Sequence, residues 1–322
     1  MSIFLNILFL VLGFVMLIKG ADWFVDGASS LAKKFGIPQI IIGLTVVAFG
    51  TSLPEAAVSI TAAIQGNSSV AIGNIVGSNI ANVLLILGVC GLMAKQGLNV
   101  KKQTLWIEIP FVVVLTAMLL LMGYFDGYIG RIDGAVFLVL FVAFIVYLAM
   151  IARRDKKLGL VEPEEETKVL PVWKIIIFLI LGAVCIVTGG RFVVDTATTL
   201  VRYIGLSENF AGLVIVAFGT SLPELVTSVI ATRKGEQDIA IGNIVGSNIF
   251  NILFVIGMSA IIAPVSFAPS FLIDSLVAIG AALLLFVSVI VTKKKQLGRI
   301  GGGLLTLGYI GYFIYIVLAS KI

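Results

Sequence analysis

The 322-residue sequence contains no histidine and only two cysteines, Cys90 and Cys185, which lie far apart in apolar runs. Imidazole and thiolate metal sites are therefore excluded, and a disulfide framework is not expected. No cofactor is expected, and any metal ion that the protein handles has to be held by oxygen atoms. Oxygen ligands favour hard cations such as Na⁺, Ca²⁺ or Mg²⁺ over zinc or copper.

Charge is also scarce, since only 12% of the residues are Asp, Glu, Lys or Arg, whereas 60% are hydrophobic. A soluble domain carries about twice that share of charge. A membrane-spanning helix requires about 20 apolar residues, so the sequence predicts an all-α integral membrane protein with ten transmembrane helices in a lipid bilayer. The predicted spans are 3–32, 40–65, 70–94, 104–122, 132–152, 171–200, 208–231, 238–262, 270–291 and 300–319.

The positive charges indicate how these spans are oriented. With the N-terminus outside, 17 of the 22 Lys and Arg residues fall in the inward connections. They are Lys33, Lys34, Lys95, Lys101, Lys102, Arg153, Arg154, Lys156, Lys157, Lys168, Lys174, Arg233, Lys234, Lys293, Lys294, Lys295 and Arg299. Cytoplasmic connections typically carry such an excess. We therefore expect both termini outside, and the net charge of +5 marks topology and not nucleic acid binding.

Two long motifs occur twice with one common offset. VAFGTSLPE at residues 47–55 recurs unchanged at 216–224, and AIGNIVGSNI at 71–80 recurs unchanged at 240–249. Both copies are displaced by 169 residues, since 224 − 55 = 240 − 71 = 169. With five spans in each half, the second half enters the membrane from the opposite side. The sequence therefore predicts two inverted five-helix repeats.

The repeats also divide the chain. Residues 1–152 form the first repeat, with its motif region at about 43–88, and residues 171–322 form the second, with its motif region at about 212–257. Between them, residues 153–170 carry the charged runs RRDKK and EPEEE, which are typical of a solvated connector. We expect a short cytoplasmic linker there and not a folded regulatory domain.

The GTSLPE motif lies in the middle of an apolar span in each half. Pro54 and its repeat equivalent Pro223 have no N–H and clash with the preceding turn, so each span should break or kink there. Carbonyl groups near Gly50 and Thr51 then lose their helical partners. Such backbone is tolerated at membrane depth only where it lines a cavity or is buried in protein. Interrupted helices in both halves are typical of a transporter site near mid-membrane.

Glu55 and Glu224 directly follow these prolines. An ionised Glu at the bilayer centre costs about 3 kcal/mol on insertion scales, so we expect a bound cation to compensate it. The alternative is a buried, protonated Glu without a ligand role. Polar stripes with i, i+4, i+8 spacing can face these glutamates, or can serve as interhelical hydrogen bonds. The stripes are Asn74, Ser78 and Asn82 in the third span and Asn243, Ser247 and Asn251 in the eighth, beside packing glycines at 73, 77, 242 and 246.

Together these motifs offer two carboxylates, several hydroxyls, amide oxygens and loosened main-chain carbonyls. This is an oxygen set suited to Ca²⁺. Its two negative charges match one Ca²⁺, two Na⁺ or two protons, so different cations can occupy it in turn. If the empty, doubly charged site is too costly to reorient, only loaded forms cross the membrane and transport becomes antiport.

The two copies of GTSLPE and GNIVGSNI resemble the alpha repeats of the sodium/calcium exchanger family, within the Ca²⁺:cation antiporters. The resemblance implies a secondary antiporter that exchanges Ca²⁺ for Na⁺ by alternating access in a prokaryotic plasma membrane, with no obligatory protein partner. It also implies that the first and sixth helices slide to switch access. The ligands that it implies are Thr51, Ser52, Glu55, Ser78 and Asn82, then Thr220, Ser221, Glu224, Ser247 and Asn251, with the main-chain oxygens of Ala48 and Ala217.

The sequence departs from this family at one position. Sodium/calcium exchangers resemble this pattern but have an acidic residue at the position of Asn251, opposite an Asn at the position of Asn82. With Asn at both positions, the site has one potential charge less. This leaves the counter-ion open, and H⁺/Ca²⁺ exchange at the same residues is the alternative to Na⁺/Ca²⁺ exchange.

Two other functions would also use acidic residues inside the membrane spans. A passive cation channel would use the same oxygen ligands, but two single glutamates on interrupted helices favour an occluded site over a filter ring. An intramembrane hydrolase would need an acid/base pair, and the sequence has no histidine and no paired nucleophile motif, so we do not expect an enzyme.

Asp26 and Asp195 occupy equivalent positions in the two repeats. We interpret them as interfacial helix caps, with gate elements as the alternative.

Overall fold

A computed structural model describes residues 3–66, 69–159, 169–203 and 217–319. Within these ranges the chain is almost entirely helical. The α-helices are α1 Ile3–Phe35, α2 Gln39–Ile42, α3 Ala48–Thr51, α4 Leu53–Ile64, α5 Ser69–Ile80, α6 Gly88–Met93, α7 Ile109–Asp126, α8 Arg131–Lys157, α9 Val172–Tyr203, α10 Ala217–Thr220, α11 Leu222–Lys234, α12 Gln237–Phe250, α13 Gly257–Ile262, α14 Phe271–Ile290 and α15 Arg299–Ala319. Four π-helical turns adjoin them, π1 Gly43–Val47, π2 Ala81–Leu87, π3 Thr104–Glu108 and π4 Asn251–Ile256.

The long helices make this a multi-pass membrane protein. Eight of the helices in the described ranges are long and apolar enough to span a bilayer, or nine if the bent pair Gln39–Thr51 and Leu53–Ile64 counts as one span. The predicted seventh span starts at residue 208, and residues 204–216 lie outside the described ranges, as do residues 160–168 of the predicted linker. The count of ten spans and their inversion therefore stay predictions.

Burial differs strongly among the spans. In the apolar windows of Val70–Met93 and Gln237–Ile262, 78% and 83% of the residues are buried inside the protein, against 17% for Arg131–Lys157. Apolar side chains such as Ile132 and Val139 are exposed on the last of these helices. In a membrane protein an exposed apolar face contacts lipid. The two most buried spans are those that carry GNIVGSNI.

The chain forms two compact units, and each takes segments from both repeats. Unit 1 consists of residues 1–54 and 147–243, and unit 2 consists of residues 55–146 and 244–322. The units therefore do not coincide with the two sequence repeats. The division of the chain into repeats at 1–152 and 171–322 stays a description of the sequence.

Unit 1 is built around the pair α1 and α9, which approach each other through glycines. A Cβ atom at Gly13 would lie 2.9 Å from the carbonyl oxygen of Gly189, and one at Gly20 would lie 2.9 Å from that of Gly182. Gly13 and Gly182 are repeat equivalents, and so are Gly20 and Gly189, since 182 − 13 = 189 − 20 = 169. The two contacts are thus exchanged by the repeat, and larger side chains would separate the helices.

A charged cluster joins α1 to the end of α11 within the same unit. The Lys234 ammonium lies 2.7 Å from an Asp22 carboxylate oxygen and 2.6 Å from one of Asp26. Nearby, the Ser29 hydroxyl donates to Glu236 at 2.6 Å. Asp26 lies well inside the 33-residue helix α1, so its interpretation as a helix cap is wrong. Asp195 is likewise inside α9 and not at its end.

Unit 2 contains two short antiparallel ribbons that connect the repeats. β1 Leu98–Asn99 pairs with β4 Gln296–Leu297, and β2 Tyr128–Ile129 pairs with β3 Val265–Ser266. Glycines again allow close helix contacts, because a Cβ atom at Gly302 would lie 2.7 Å from the carbonyl oxygen of Gly88. The core of unit 2 therefore also joins segments from both halves of the sequence.

We expect Gly189→Ala to lower the melting temperature of the detergent-solubilised protein, whereas Gly190→Ala leaves it unchanged or raises it. A Cβ atom at Gly189 would meet the backbone of α1 at 2.8 Å, but one at Gly190 would have its nearest neighbour, Pro223, at 3.6 Å. Overpacking costs about 1–3 kcal/mol, and replacing a helical Gly by Ala otherwise gains up to about 1 kcal/mol. Equal melting temperatures for the two variants would contradict the close contact of α1 with α9.

We expect Lys234→Gln to destabilise the protein slightly, by less than about 1 kcal/mol, because the ion pairs of Lys234 with Asp22 and Asp26 are partly exposed. Lys234 is the last residue of α11, beyond the predicted span. Burial lowers the pKa of this amine, but hydrogen bonds and charge from Asp22 and Asp26 outweigh that effect and raise it above the ordinary 10.5. A raised lysine pKa stabilises below about pH 10.5, and the stabilisation is lost as pH rises through the folded value.

The measurement is thermal unfolding at pH 8 and at high pH, with Lys34→Gln as the control, since Lys34 is exposed. The difference between wild type and Lys234→Gln should shrink at high pH and at high salt. A difference that is independent of both conditions would exclude an ionic origin.

Candidate functional site

The predicted helix break is present in both copies of GTSLPE. In the first copy, α3 ends at Thr51 and α4 begins at Leu53, with a bend of 51° between the two helical segments. Ser52 at the break has φ −85° and ψ 7°, and Ser221 at the same place in the second copy has φ −87° and ψ 3°. Because Pro54 has no N–H, the carbonyl of Gly50 cannot receive its helical hydrogen bond. The proline chemistry therefore produces the same local geometry twice.

The break places a serine of one repeat beside the glutamate of the other. Within unit 1 the Ser52 hydroxyl donates a hydrogen bond to Glu224 Oε1 at 2.8 Å. Ser52 is 0% and Glu224 is 1% exposed. The hydroxyl oxygen keeps its lone pairs after donating, and the carboxylate keeps further acceptor capacity. Both groups can therefore act as oxygen ligands of a cation.

A second contact in unit 1 connects Thr51 with the stripe of the eighth span. The Thr51 hydroxyl lies 2.9 Å from Asn243 Oδ1, and Asn243 Nδ2 donates to the Ser228 hydroxyl at 3.0 Å. Thr51 Oγ1 also lies 3.2 Å from the carbonyl oxygen of Val47. Asn243 and Ser228 are both fully buried. Asn243 therefore supports the threonine of the opposite repeat and does not itself need to be a ligand.

Unit 2 contains the equivalent Asn–Ser hydrogen bond and the other glutamate of the two motifs. Asn74 Nδ2 donates to the Ser59 hydroxyl at 3.0 Å and lies 3.4 Å from the backbone carbonyl oxygen of Glu55. Ser59 and Ser228 are repeat equivalents, since 228 − 59 = 169. Glu55 lies in the first turn of α4 and is 1% exposed. An Asn–Ser hydrogen bond therefore accompanies the break in each repeat, fully buried for Asn243 and Ser228 and partly buried for Asn74 and Ser59.

Four further asparagines form a cluster in unit 2. Asn82 Nδ2 donates to Asn248 Oδ1 at 2.9 Å, and Asn251 Nδ2 donates to Asn79 Oδ1 at 3.0 Å. In addition, the side-chain amides of Asn79 and Asn248 each donate to the other's backbone carbonyl at 3.3 Å. All four side chains are buried. The repeat exchanges every one of these contacts.

Several predicted ligand atoms are buried without a hydrogen-bond partner among the residues that the structure describes. They are the hydroxyl oxygens of Ser78, Ser221 and Ser247 and the Oδ1 atoms of Asn82 and Asn251. An unsatisfied buried polar atom costs about 1–3 kcal/mol. Hydroxyl and amide oxygens of this kind are ligands that hard cations bind.

The remaining predicted site residues lie on the same elements. Ala48 is buried at the start of α3, and its carbonyl accepts the Ser52 N–H at 3.0 Å. Ala217 and Thr220 begin and end α10, and Thr220 is buried.

The π-helical turns and four supporting residues were not predicted from the sequence. π2 begins one residue before Asn82 and π4 begins at Asn251, so both copies of GNIVGSNI run into a wider turn, a feature that is frequent at functional sites. Asn79 and Asn248 lie within the duplicated motif AIGNIVGSNI, and Ser59 and Ser228 are also repeat equivalents, which extending the repeat alignment beyond VAFGTSLPE would have found.

The packing interpretation of the glycine stripe holds for Gly242 but not for Gly77. A Cβ atom at Gly242 would lie 2.8 Å from the Ile40 carbonyl oxygen, whereas one at Gly77 would meet no atom of the described residues within 4 Å.

Duplicated helix breaks with buried carboxylate, hydroxyl and amide oxygens define a transporter-like membrane protein. Residues 5–150 and 174–318 match the family described as "Sodium/calcium exchanger protein". This match covers far more than half of the chain. The chain therefore belongs to the sodium/calcium exchanger family, as the two motifs predict.

Relatives and solved structures resemble the chain over nearly its whole length. It is 42% identical to CaxA of Alkalimonas amylolytica, covering 95% of this chain and 96% of that protein. It is 33% identical to the sodium/calcium exchanger MaX1 of Methanosarcina acetivorans, covering 96% and 97%. A structure of the sodium-calcium exchanger NCX_Mj soaked with Na⁺ and Ca²⁺ is similar with a TM-score of 0.82 and 28% identity, covering 98% of each chain.

We expect Ser228→Ala to destabilise the protein by about 1–3 kcal/mol, because Asn243 Nδ2 would lose its buried acceptor. Ser275→Ala is the matched control, since Ser275 is equally buried but its hydroxyl has no partner among the described residues. Thermal unfolding in detergent measures both. Comparable losses for the two variants would show that the Asn243–Ser228 hydrogen bond contributes nothing.

Proposed function

We propose that this protein is a secondary antiporter that exchanges Ca²⁺ for Na⁺ across a membrane by alternating access. The oxygen atoms of the predicted residues bind the transported ions. They belong to Glu55, Glu224, Thr51, Ser52, Thr220, Ser221, Ser78, Ser247, Asn82 and Asn251, with the main-chain oxygens of Ala48 and Ala217. Membership of the sodium/calcium exchanger family supports this function.

The observation that carries the proposal is the buried contact of Ser52 with Glu224. A hydroxyl and a carboxylate from opposite repeats lie 2.8 Å apart, each directly at a helix break. An ionised carboxylate inside a membrane span is costly unless it is compensated. A transported cation supplies that compensation.

Charge balance explains why exchange is the expected outcome. Glu55 and Glu224 supply two negative charges, which one Ca²⁺ or two Na⁺ neutralise. Without a bound cation, the two negative charges stay uncompensated in a low-dielectric surrounding. Moving a charge from water into such a surrounding is unfavourable. If only the cation-loaded site can switch access from one side of the membrane to the other, the protein exchanges ions. It does not let them leak passively.

The asparagines at 82 and 251 make the counter-ion the main question. Both side chains are neutral, so the number of charges that they add does not change with pH. Within the proposed ligand set, only Glu55 and Glu224 carry a side chain that can take up a proton to neutralise a charge. Na⁺/Ca²⁺ exchange is the first candidate because the relative MaX1 is named a sodium/calcium exchanger, and H⁺/Ca²⁺ exchange at the same residues is the second.

The proposed cellular setting rests on the family resemblance, and the proposed orientation rests on the charge distribution. We place the protein in the plasma membrane of a prokaryote, with residues 153–170 in the cytoplasm and both termini outside. The excess of Lys and Arg in the predicted inward connections supports this orientation.

The decisive experiment is Ca²⁺ uptake into liposomes that contain the purified protein, at clamped voltage. We expect an outward Na⁺ gradient to drive uptake and an outward H⁺ gradient to have little effect. Uptake with H⁺ alone would assign the alternative exchange, and uptake without either gradient would indicate a channel. If Ca²⁺ enters under none of these conditions, the Ca²⁺ assignment is refuted.

Substitution of the glutamates tests the ion ligands. We expect Glu55→Gln and Glu224→Gln each to reduce Ca²⁺ uptake to the background of empty liposomes, because one negative charge of the pair is lost. Glu108→Gln is the matched control, since Glu108 is also a fully buried glutamate in a membrane span but has Val277 at its repeat position. Normal uptake by either of the first two variants would overturn the site assignment.

A further inference from the structure

The asparagine cluster of unit 2 contains two asparagines that are not among the proposed ion ligands. Asn79 and Asn248 are 4% and 1% exposed, and each contacts the ligand candidate of the opposite repeat. Asn248 accepts from Asn82 at 2.9 Å, and Asn79 accepts from Asn251 at 3.0 Å.

Two backbone carbonyls fix which way all of these amides point. Asn79 faces the backbone carbonyl of Asn248, and Asn248 faces that of Asn79, both at 3.3 Å. A carbonyl oxygen only accepts hydrogen bonds, so the side-chain atom that faces it has to be the NH₂ group. The Oδ1 atoms of Asn79 and Asn248 therefore point the other way. This assignment follows from hydrogen-bond chemistry and not from the similar shapes of the amide nitrogen and oxygen.

The orientation of the two ligand candidates then follows in the same way. Asn82 meets Oδ1 of Asn248, and an oxygen there requires a donor, so Asn82 has to present its NH₂ group. Asn251 has to do the same toward Asn79. The Oδ1 atoms of Asn82 and Asn251 are thereby turned away from the cluster. Neither has a hydrogen-bond partner in the described parts of the chain, although both are buried.

We infer that Asn79 and Asn248 are positioning residues that hold the Oδ1 atoms of Asn251 and Asn82 in the orientation that a bound cation requires. The inference rests on the proposed function, because it assigns those two oxygens as cation ligands. The positioning is crossed, since each repeat orients the ligand of the other. Residues that orient a metal ligand through a hydrogen bond commonly change metal affinity by about 10–100-fold when they are replaced.

A double-substitution cycle separates this role from a merely structural one. Ca²⁺ affinity is measured by titration calorimetry in detergent for wild type, Asn82→Ala, Asn248→Ala and the double variant. We expect Asn248→Ala alone to weaken Ca²⁺ binding about 10-fold or more. In the Asn82→Ala background, where no ligand is left to orient, the same substitution should have less than about a 2-fold effect. An equal loss in both backgrounds overturns the inference.

Asn79 provides the matched control within the same cluster. It orients Asn251 and not Asn82, so Asn79→Ala should weaken Ca²⁺ binding by the same factor with or without Asn82→Ala. In the Asn251→Ala background its effect should disappear. If Asn79 and Asn248 both couple equally to Asn82, the crossed assignment is wrong.

The cycle also distinguishes failure of the inference from failure of the proposed function. If wild type does not bind Ca²⁺, the proposed function fails, and the same variants are then compared by thermal unfolding without Ca²⁺. The coupling of Asn82 with Asn248 should exceed that of Asn82 with Asn79, since only the first pair shares a side-chain hydrogen bond. If the two couplings are equal, the amide orientation itself is refuted.

Discussion

Hydrocarbon offers no hydrogen bonds, and every polar group inside a membrane span of this protein is arranged under that constraint. The NH₂ groups of the six site asparagines donate to serine, backbone carbonyl or amide oxygens. The Oδ1 atoms of Asn82 and Asn251, by contrast, have no hydrogen-bond partner among the described residues.

The breaks at Ser52 and Ser221 show which features can be predicted from local sequence. Proline acts on the four residues before it, so the position of the break follows from Pro54 and Pro223 alone. The eight or nine candidate membrane spans in the described ranges could be predicted for the same reason, because each depends only on its own run of apolar residues. Family membership was predictable because GTSLPE and GNIVGSNI occur twice in unbroken form.

Contacts between distant segments could not be predicted in the same way. The offset of 169 residues identifies Asn82 and Asn251 as equivalents, but equivalence does not state that Asn82 contacts Asn248. Asp26 was misread as a cap because its partner Lys234 lies 208 positions away. The π-helical turns have no residue signature of their own, and Gly77 looks like Gly242 although their surroundings differ.

The charged cluster of Lys234 has an implication that its small contribution to stability does not suggest. The asparagines and serines of the proposed ligand set and Gly13, Gly20, Gly182 and Gly189 are duplicated, so two inverted repeats built from them alone would treat the two sides of the membrane alike. Lys234 is not duplicated, because residue 65 is Gln, and the equivalents of Asp22 and Asp26 are Arg191 and Asp195. Under the proposed alternating access, two identical inverted repeats would give the two facing directions the same free energy. A preference for one direction would then have to come from residues that differ between the repeats, such as Lys234 and Gln65.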